Sequence, residues 1–100
     1  MAEIRVTSGE LRNKASELRN LNSQFKKAVE EMTSNEQQLV NMWDGEAKDT
    51  FHQAYNNDRV QMDTFYETIE LYCQALEENA AKYDMAEQKN VNTASSRSYK

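Results

Sequence analysis

Few side chains in this sequence are of the kinds that perform catalysis or bind metals. The chain has one histidine, His52, and one cysteine, Cys73. Nucleophilic triads and zinc sites need more of these groups. Asp49 and His52 have the spacing of half a di-iron site, but such sites also need carboxylates on all the facing helices. We therefore expect no catalytic residue, no bound metal and no cofactor, and hence a protein that is not an enzyme.

Composition and charge exclude further classes of function. The formal net charge of -5 disfavours a nucleic-acid partner, because binding to a phosphate backbone needs a concentrated basic face. No apolar run approaches the ~18–20 residues that span a bilayer, and the N-terminus lacks a basic region followed by an apolar core. We expect neither a membrane span nor a classical signal peptide. The single Cys73 cannot form an intrachain disulfide, and its thiol is predicted to be a small apolar group on a helix face.

The central tripeptide of the sequence is Trp43-Asp44-Gly45, in a chain with no proline and only one other glycine. Glycine permits the backbone conformations that reverse chain direction, so this is where we predict a turn between two helices. Asp44 is a candidate N-cap of the second helix. Trp43 can cover the open end of the helix pair, or it can be a docking residue, since tryptophan is enriched in interface hot spots.

A second pair of residues near the C-terminus also has spacing suited to recognition. Tyr83 and Glu87 are four residues apart, which places an aromatic ring and a carboxylate on one face of a helix. The spacing is common in helices. Tyr83 can therefore be either part of a docking surface or simply the end of an apolar stripe.

Two long helices are predicted to position these residues, the first over about residues 7–41. Thr7 and Glu10 form a capping box, which favours a helix start at this point. Apolar residues then recur in steps of three and four, with polar interruptions at Asn22 and Glu36. The predicted stripe consists of Leu11, Ala15, Leu18, Phe25, Val29, Met32 and Leu39.

The second helix is predicted over about residues 45–88, and it carries a broader apolar stripe. Its main row consists of Ala47, Phe51, Tyr55, Asp58, Met62, Phe65, Ile69, Tyr72, Leu76 and Tyr83. Beside this row lie Tyr66, Cys73 and Ala80, which widen the stripe, so that one flank can pack on the first helix and the other on a second hairpin. From residue 90 to residue 100 the sequence is polar without periodicity, which predicts a disordered tail.

The fold class that follows is all-α. If the chain folds antiparallel about residues 43 and 44, Leu18 pairs with Ile69, Phe25 with Met62 and Met32 with Tyr55. Residues 1–89 then form one helical hairpin. Because a two-helix hairpin is rarely stable alone, we expect it to dimerise into a four-helix bundle. The predicted hairpin and dimer core consists of Leu18, Phe25, Met32, Met62, Phe65, Ile69 and Tyr72.

Two motifs in a chain of this length carry a resemblance to a known family. The central Trp43-x-Gly45 and the later Tyr83-x-x-x-Glu87 closely resemble the WXG family of small proteins. Those proteins are exported by the type VII (ESX) secretion system of Gram-positive bacteria and mycobacteria. The resemblance covers residues 1 to about 89. It implies a helical hairpin that forms a homodimer, or a heterodimer with a related protein, and leaves the cell folded.

The resemblance also implies roles for individual residues. Tyr83 and Glu87 correspond to an export element that lies beside the Trp-x-Gly turn of the partner chain, here Trp43 and Gly45. A membrane-bound ATPase of the secretion machine recognises this composite signal in the family. The expected protein is thus made in the cytoplasm and secreted.

Two other functions remain open at the level of sequence. The apolar helix faces also suit a membrane-active virulence effector, for which vesicle leakage is the test. The chain also suits a cytoplasmic helical adaptor protein, which would be absent from culture supernatant. The sequence does not decide between homodimer and heterodimer.

Overall fold

The computed structural model consists of two helices joined by a short turn. It describes residues 6–97, with side chains through residue 89. Helix α1 spans Ser8–Met42 and helix α2 spans Glu46–Arg97. No strand occurs within residues 6–97. The predicted all-α helical hairpin is therefore confirmed, with the turn at the predicted tripeptide.

Helix α1 begins where the capping box predicts. The backbone N–H of Glu10 donates to the Thr7 hydroxyl over 3.0 Å, and the N–H of Leu11 donates to the Thr7 carbonyl over 3.0 Å. These bonds satisfy two N–H groups that the first turn of a helix otherwise leaves without partners. Thr7 is thus the N-cap of α1.

The inner face of α1 follows the predicted stripe only as far as Val29. Its buried and half-buried residues are Ser8, Leu11, Ala15, Leu18, Asn22, Phe25, Val29, Thr33, Glu36 and Val40. Thr33 and Val40 replace the predicted Met32 and Leu39, which are exposed. The Thr33 hydroxyl donates to the Val29 carbonyl over 2.8 Å and accepts from the Tyr55 hydroxyl over 2.6 Å. These bonds hold a polar residue on the inner face.

The inner face of α2 differs from the prediction in the same way. Through residue 89, its buried and half-buried residues are Lys48, His52, Tyr55, Arg59, Met62, Tyr66, Thr68, Ile69, Glu70, Cys73, Leu76, Ala80 and Asp84. Tyr66, Cys73 and Ala80, predicted beside the main row, are on the inner face. Phe65 and Tyr72, predicted in the main row, are 53% and 58% exposed. The stripe is wider than one neighbouring helix covers, so α1 covers only one of its flanks.

Helix α2 continues to Arg97, whereas the sequence predicts a helix end near residue 88 and a disordered tail from residue 90. Residues 90–97 contain neither proline nor glycine. Extending an existing helix fixes one residue for each hydrogen bond gained, so polarity alone does not end a helix. Residues 98–100 of the predicted tail lie outside the described residues.

The described residues divide into two compact units, and each helix contributes to both. The terminal unit contains the residues up to Leu18 together with those from Leu71. Small side chains form its core, since Ala15, Cys73 and Ala80 are all fully buried. Its helices are joined by an ion pair between Arg12 and Asp84.

The turn unit comprises Arg19–Glu70 and has polar residues on its inner face. Asn22 is buried, and its Nδ2 donates over 3.0 Å both to the Tyr66 carbonyl and to Glu70 Oε1. Arg19 also contacts Glu70, at 3.9 Å. These contacts tie the Tyr66 position of α2 to α1, which accounts for the exposure of the neighbouring Phe65.

Candidate interaction surfaces

The turn depends on the backbone of Gly45. Its φ of 120° lies in the region that residues with side chains rarely adopt. The N–H of Trp43 donates to the Val40 carbonyl over 3.3 Å, and the N–H of Lys48 donates to the Gly45 carbonyl over 3.3 Å. Gly45 directly precedes Glu46, the first helical residue of α2. The N-cap of α2 is therefore Gly45 and not the predicted Asp44. A left-handed backbone at this position requires glycine.

Trp43 is half-buried at the turn. Its ring lies 5.4 Å from the ring of Phe51 with the planes tilted by 52°. Leu39 and Met42 complete an open apolar groove with these two rings. The indole thus packs on α2 and still lines a surface open to solvent. Both roles predicted for Trp43, covering the helix pair and docking, are compatible with this geometry.

The groove is part of a larger exposed surface of the turn unit, which we name the apolar face. It consists of two rows at seven-residue spacing, Phe25, Met32 and Leu39 on α1 and Phe51, Asp58 and Phe65 on α2. The rings of Phe25 and Phe65 are in edge contact at 5.3 Å. Leu39 and Phe51 line one cavity together with Met32 and Tyr55. Sequence periodicity placed all six residues in the two predicted stripes, which were expected to pair within the hairpin.

Under the apolar face lies a polar pair that sequence reasoning missed. The Glu36 side chain is 5% exposed, and its carboxylate contacts His52 Nδ1, with Oε2 at 3.1 Å. The sequence shows Glu36 only as a polar interruption and His52 only as a lone histidine. Their pairing depends on how the two helices align. No cluster of three metal-ligating residues occurs among the described residues.

Tyr83 and Glu87 are both exposed on α2 of the terminal unit. Between them Asp84 faces α1, where it bonds to Arg12 and to Ser8. The Arg12 hydrogen bond, followed by the Ser8 hydrogen bond, holds the pKa of Asp84 below its ordinary value. Because Asp84 fixes the rotation of α2, Tyr83 and Glu87 point away from the inner face. The alternative prediction, Tyr83 as the last residue of the inner stripe, does not match its exposure of 46%.

None of the seven predicted core residues is fully buried. Leu18, Phe25, Met62 and Ile69 are half-buried, whereas Met32, Phe65 and Tyr72 are exposed in the single chain.

Neither helix, as far as it is described, is long and apolar enough to cross a membrane.

The sequence of this chain matches a model of a known protein family. A family model described as proteins of 100 residues with WXG matches residues 3–88. The chain belongs to the WXG100 family. The match covers the Trp43-x-Gly45 turn and both Tyr83 and Glu87. No curated protein sequence matches the chain significantly.

Two solved crystal structures have a fold similar to that of this chain. The secreted protein EsxB from Bacillus anthracis strain Sterne, in selenomethionine-labelled form, aligns with a TM-score of 0.75 over 87% of this chain and 99% of that chain. The wild-type EsxB crystal structure aligns with a TM-score of 0.74 over 84% and 97%. Each is 21% identical in sequence. At this identity the likeness shows the fold.

Proposed function

We propose that this WXG100 protein is a small, non-enzymatic substrate of the type VII (ESX) secretion system that leaves the cytoplasm as a folded dimer. The match of the family model over residues 3–88 carries the proposal. It is supported by the similar fold of EsxB, which is described as a secreted protein. The partner in the dimer is a second copy or a related WXG100 hairpin.

The export signal in this proposal is composite. Tyr83 and Glu87 lie one helical turn apart on α2, and both are exposed. A phenol ring and a carboxylate so placed offer a large contact area and a charge to a receptor. Trp43 and Gly45 of the partner chain form the other part of the signal. The receptor is the membrane ATPase of the secretion machine.

Dimerisation is supported by the apolar face. Met32, Leu39, Phe51 and Phe65 are all exposed in the single chain. Exposed large apolar side chains gathered on one face mark an interaction surface. Covering them with the same kind of face on another hairpin gives a four-helix bundle.

Export of alanine variants tests the proposal. In a strain with an intact system, Tyr83→Ala and Glu87→Ala should each remove the protein from the culture supernatant while the intracellular amount persists. Met85→Ala is the matched control, because Met85 lies on the same stretch of α2 and is 72% exposed. That variant should be exported normally. All three purified variants should keep the wild-type helical circular dichroism.

A strain lacking the secretion ATPase provides the second arm. Wild-type protein should stay inside those cells. Normal export of both Tyr83→Ala and Glu87→Ala, or export without the ATPase, would contradict the proposal.

A further inference from the structure

Asp58 lies in the middle of the apolar face. It is seven residues after Phe51 and seven before Phe65, and seven residues return a helix to nearly the same side. The three residues therefore form one row along α2. The row is apolar at both ends and carries a carboxylate at its centre.

Contacts between the helices place Asp58 level with Met32, the middle of the α1 row. The Thr33 hydroxyl bonds to Tyr55 and to Arg59, which lie on either side of Asp58 in the sequence. The ends of the rows are also aligned, since Phe25 contacts Phe65. Asp58 and Met32 are thus the two central positions of the apolar face.

No basic residue is next to Asp58 on this face, and the lysine nearest to the row, Lys48, is ten residues before Asp58 at the turn end. The next positions outward are neutral, namely Leu21, Ala28, Asn35 and Met42 on α1 and Ala54 and Gln61 on α2. Asp58 itself is exposed and makes no hydrogen bond or ion pair that the structure shows among residues 6–89. In the single chain its charge is hydrated.

Two cations of the turn unit, Arg59 and Lys26, make contacts on its other flank. The Arg59 Nε donates to Asp63 over 3.1 Å. The Lys26 ammonium lies 5.0 Å from the centre of the Tyr66 ring. The two flanks of the hairpin therefore differ in chemistry, since one has cations in contact with Asp63 and Tyr66 and the other is apolar with one central acid.

This arrangement disfavours a second copy of the same chain as the occupant of the apolar face. A two-fold symmetric contact presents the same patch from both chains. Because Asp58 is at the centre of the face, two copies would bring two carboxylates together at the centre of the contact, whereas Lys48 would lie near its end. A charge that loses water without gaining a partner weakens binding, and like charges placed close together weaken it further.

We infer that the apolar face binds a different helical hairpin, one that presents a lysine or arginine side chain to Asp58. Asp58 then selects the partner, by attraction to the cation and by repulsion of a second copy. The inference rests on the dimeric export substrate proposed above and names the chemistry of its partner.

Two variants of Asp58 test this with purified full-length protein. Asp58→Asn keeps the shape of the side chain and removes its charge, so its self-association should be tighter than that of wild type by about tenfold or more. Asp58→Lys supplies the missing cation. An equimolar mixture of wild type and Asp58→Lys should form a mixed dimer tighter than either self-dimer by about tenfold or more, and added salt should reduce the gain. Sedimentation and native mass spectrometry measure these affinities.

The matched control is Glu67→Lys. Glu67 is exposed nine residues after Asp58, on the opposite side of α2, and its replacement changes the net charge by the same amount. Mixing this variant with wild type should give no gain. Urea unfolding of each variant at low concentration confirms that the hairpin is intact.

Three outcomes would overturn the inference. Self-association of wild type as tight as that of Asp58→Asn would make a second copy the occupant. A mixture of wild type and Asp58→Lys without a gain, or the same gain with Glu67→Lys, would remove the role of Asp58. These measurements involve no secretion machinery. If the association measurements contradict the role of Asp58, the export results still hold. If the Tyr83 and Glu87 variants are exported normally, the association measurements on Asp58 still hold.

Discussion

At the scale of single residues, Gly45 has the most constrained position. Its φ of 120° is the one positive value among the described residues. An added Cβ would meet no atom within 4 Å, so the constraint comes from the backbone and not from crowding. Glycine at this site is needed for the conformation of the turn itself.

Gly45→Ala should therefore lower the free energy of unfolding by about 1–3 kcal/mol, because alanine strains a left-handed backbone. The second glycine provides the control. Gly9 lies in the first turn of α1, where an added Cβ would be 3.8 Å from the Thr7 hydroxyl oxygen. Gly9→Ala should be neutral or stabilise by about 0.5–1 kcal/mol. Urea unfolding measures both, and equal effects would contradict the argument.

The Arg12–Asp84 ion pair should make the stability of the fold depend on pH. The pKa of Asp84 is lowered in the folded chain, so the unfolded chain binds more protons as the pH falls through the region of about 4, the ordinary aspartate value. The contribution of the pair to stability is present above that pH and is lost as the pH falls through the lowered pKa.

Asp84→Asn should thus be less stable than wild type at neutral pH, and the difference should narrow below about pH 4. Chemical unfolding at a series of pH values measures the difference. Arg12→Gln should lower stability in a similar way. The double variant should be hardly less stable than either single variant, because both substitutions remove the same ion pair. A difference between wild type and Asp84→Asn that stays constant with pH would contradict the prediction.

At the scale of the elements, the terminal unit depends on small side chains. Ala15 on α1 and both Cys73 and Ala80 on α2 have no exposed surface. Small residues allow two helices to approach closely, and a core at protein density has no room for added methyl groups. This packing also explains why the flank with Cys73, and not the one with Tyr72, faces α1.

Ala80→Leu should lower the free energy of unfolding by about 1–3 kcal/mol through overpacking. The adjacent Ala81 is exposed, and Ala81→Leu should change stability by no more than about 0.5 kcal/mol. The two variants have the same composition and differ only in the face of α2 that they change. Thermal and urea unfolding compare them, and equal stability would contradict the assigned inner face.

At the scale of the whole molecule, one hairpin leaves many large apolar side chains in water. They include Leu21, Met32, Leu39, Phe51 and Phe65 in the turn unit. A partner that covers them stabilises the folded chain by mass action. Stability and association are therefore linked in this protein.

Melting temperature should rise with protein concentration if the folded form is a dimer. With about 0.7 kcal/mol of unfolding enthalpy per residue, a tenfold increase in concentration should raise the midpoint by about 3–4 °C. Met32→Gln, on the apolar face, should reduce this dependence. Val60→Gln, an exposed position on another side of α2, should keep it. A midpoint independent of concentration in the wild type would argue for a monomer.

The local features of the fold follow from residues that are close together in the sequence. The start of α1 follows from the Thr7 cap, and the turn follows from Gly45, because both depend on chemistry within a few residues. The two helices and their heptad spacing follow from the recurrence of apolar residues. The positions of Trp43, Tyr83 and Glu87 on these elements were predictable for the same reason.

The rotation of each helix against the other depends on tertiary contacts and does not follow from the sequence pattern. Periodicity gives the width of an apolar stripe, but the stripe of α2 is wider than one neighbouring helix can cover. The choice depends on close packing of small side chains, such as Cys73, and on hydrogen bonds between distant residues, such as Asn22 with Tyr66. Those partners are far apart in the chain. Their alignment left Phe65 and Asp58 on the outer face, because the inner one was already filled.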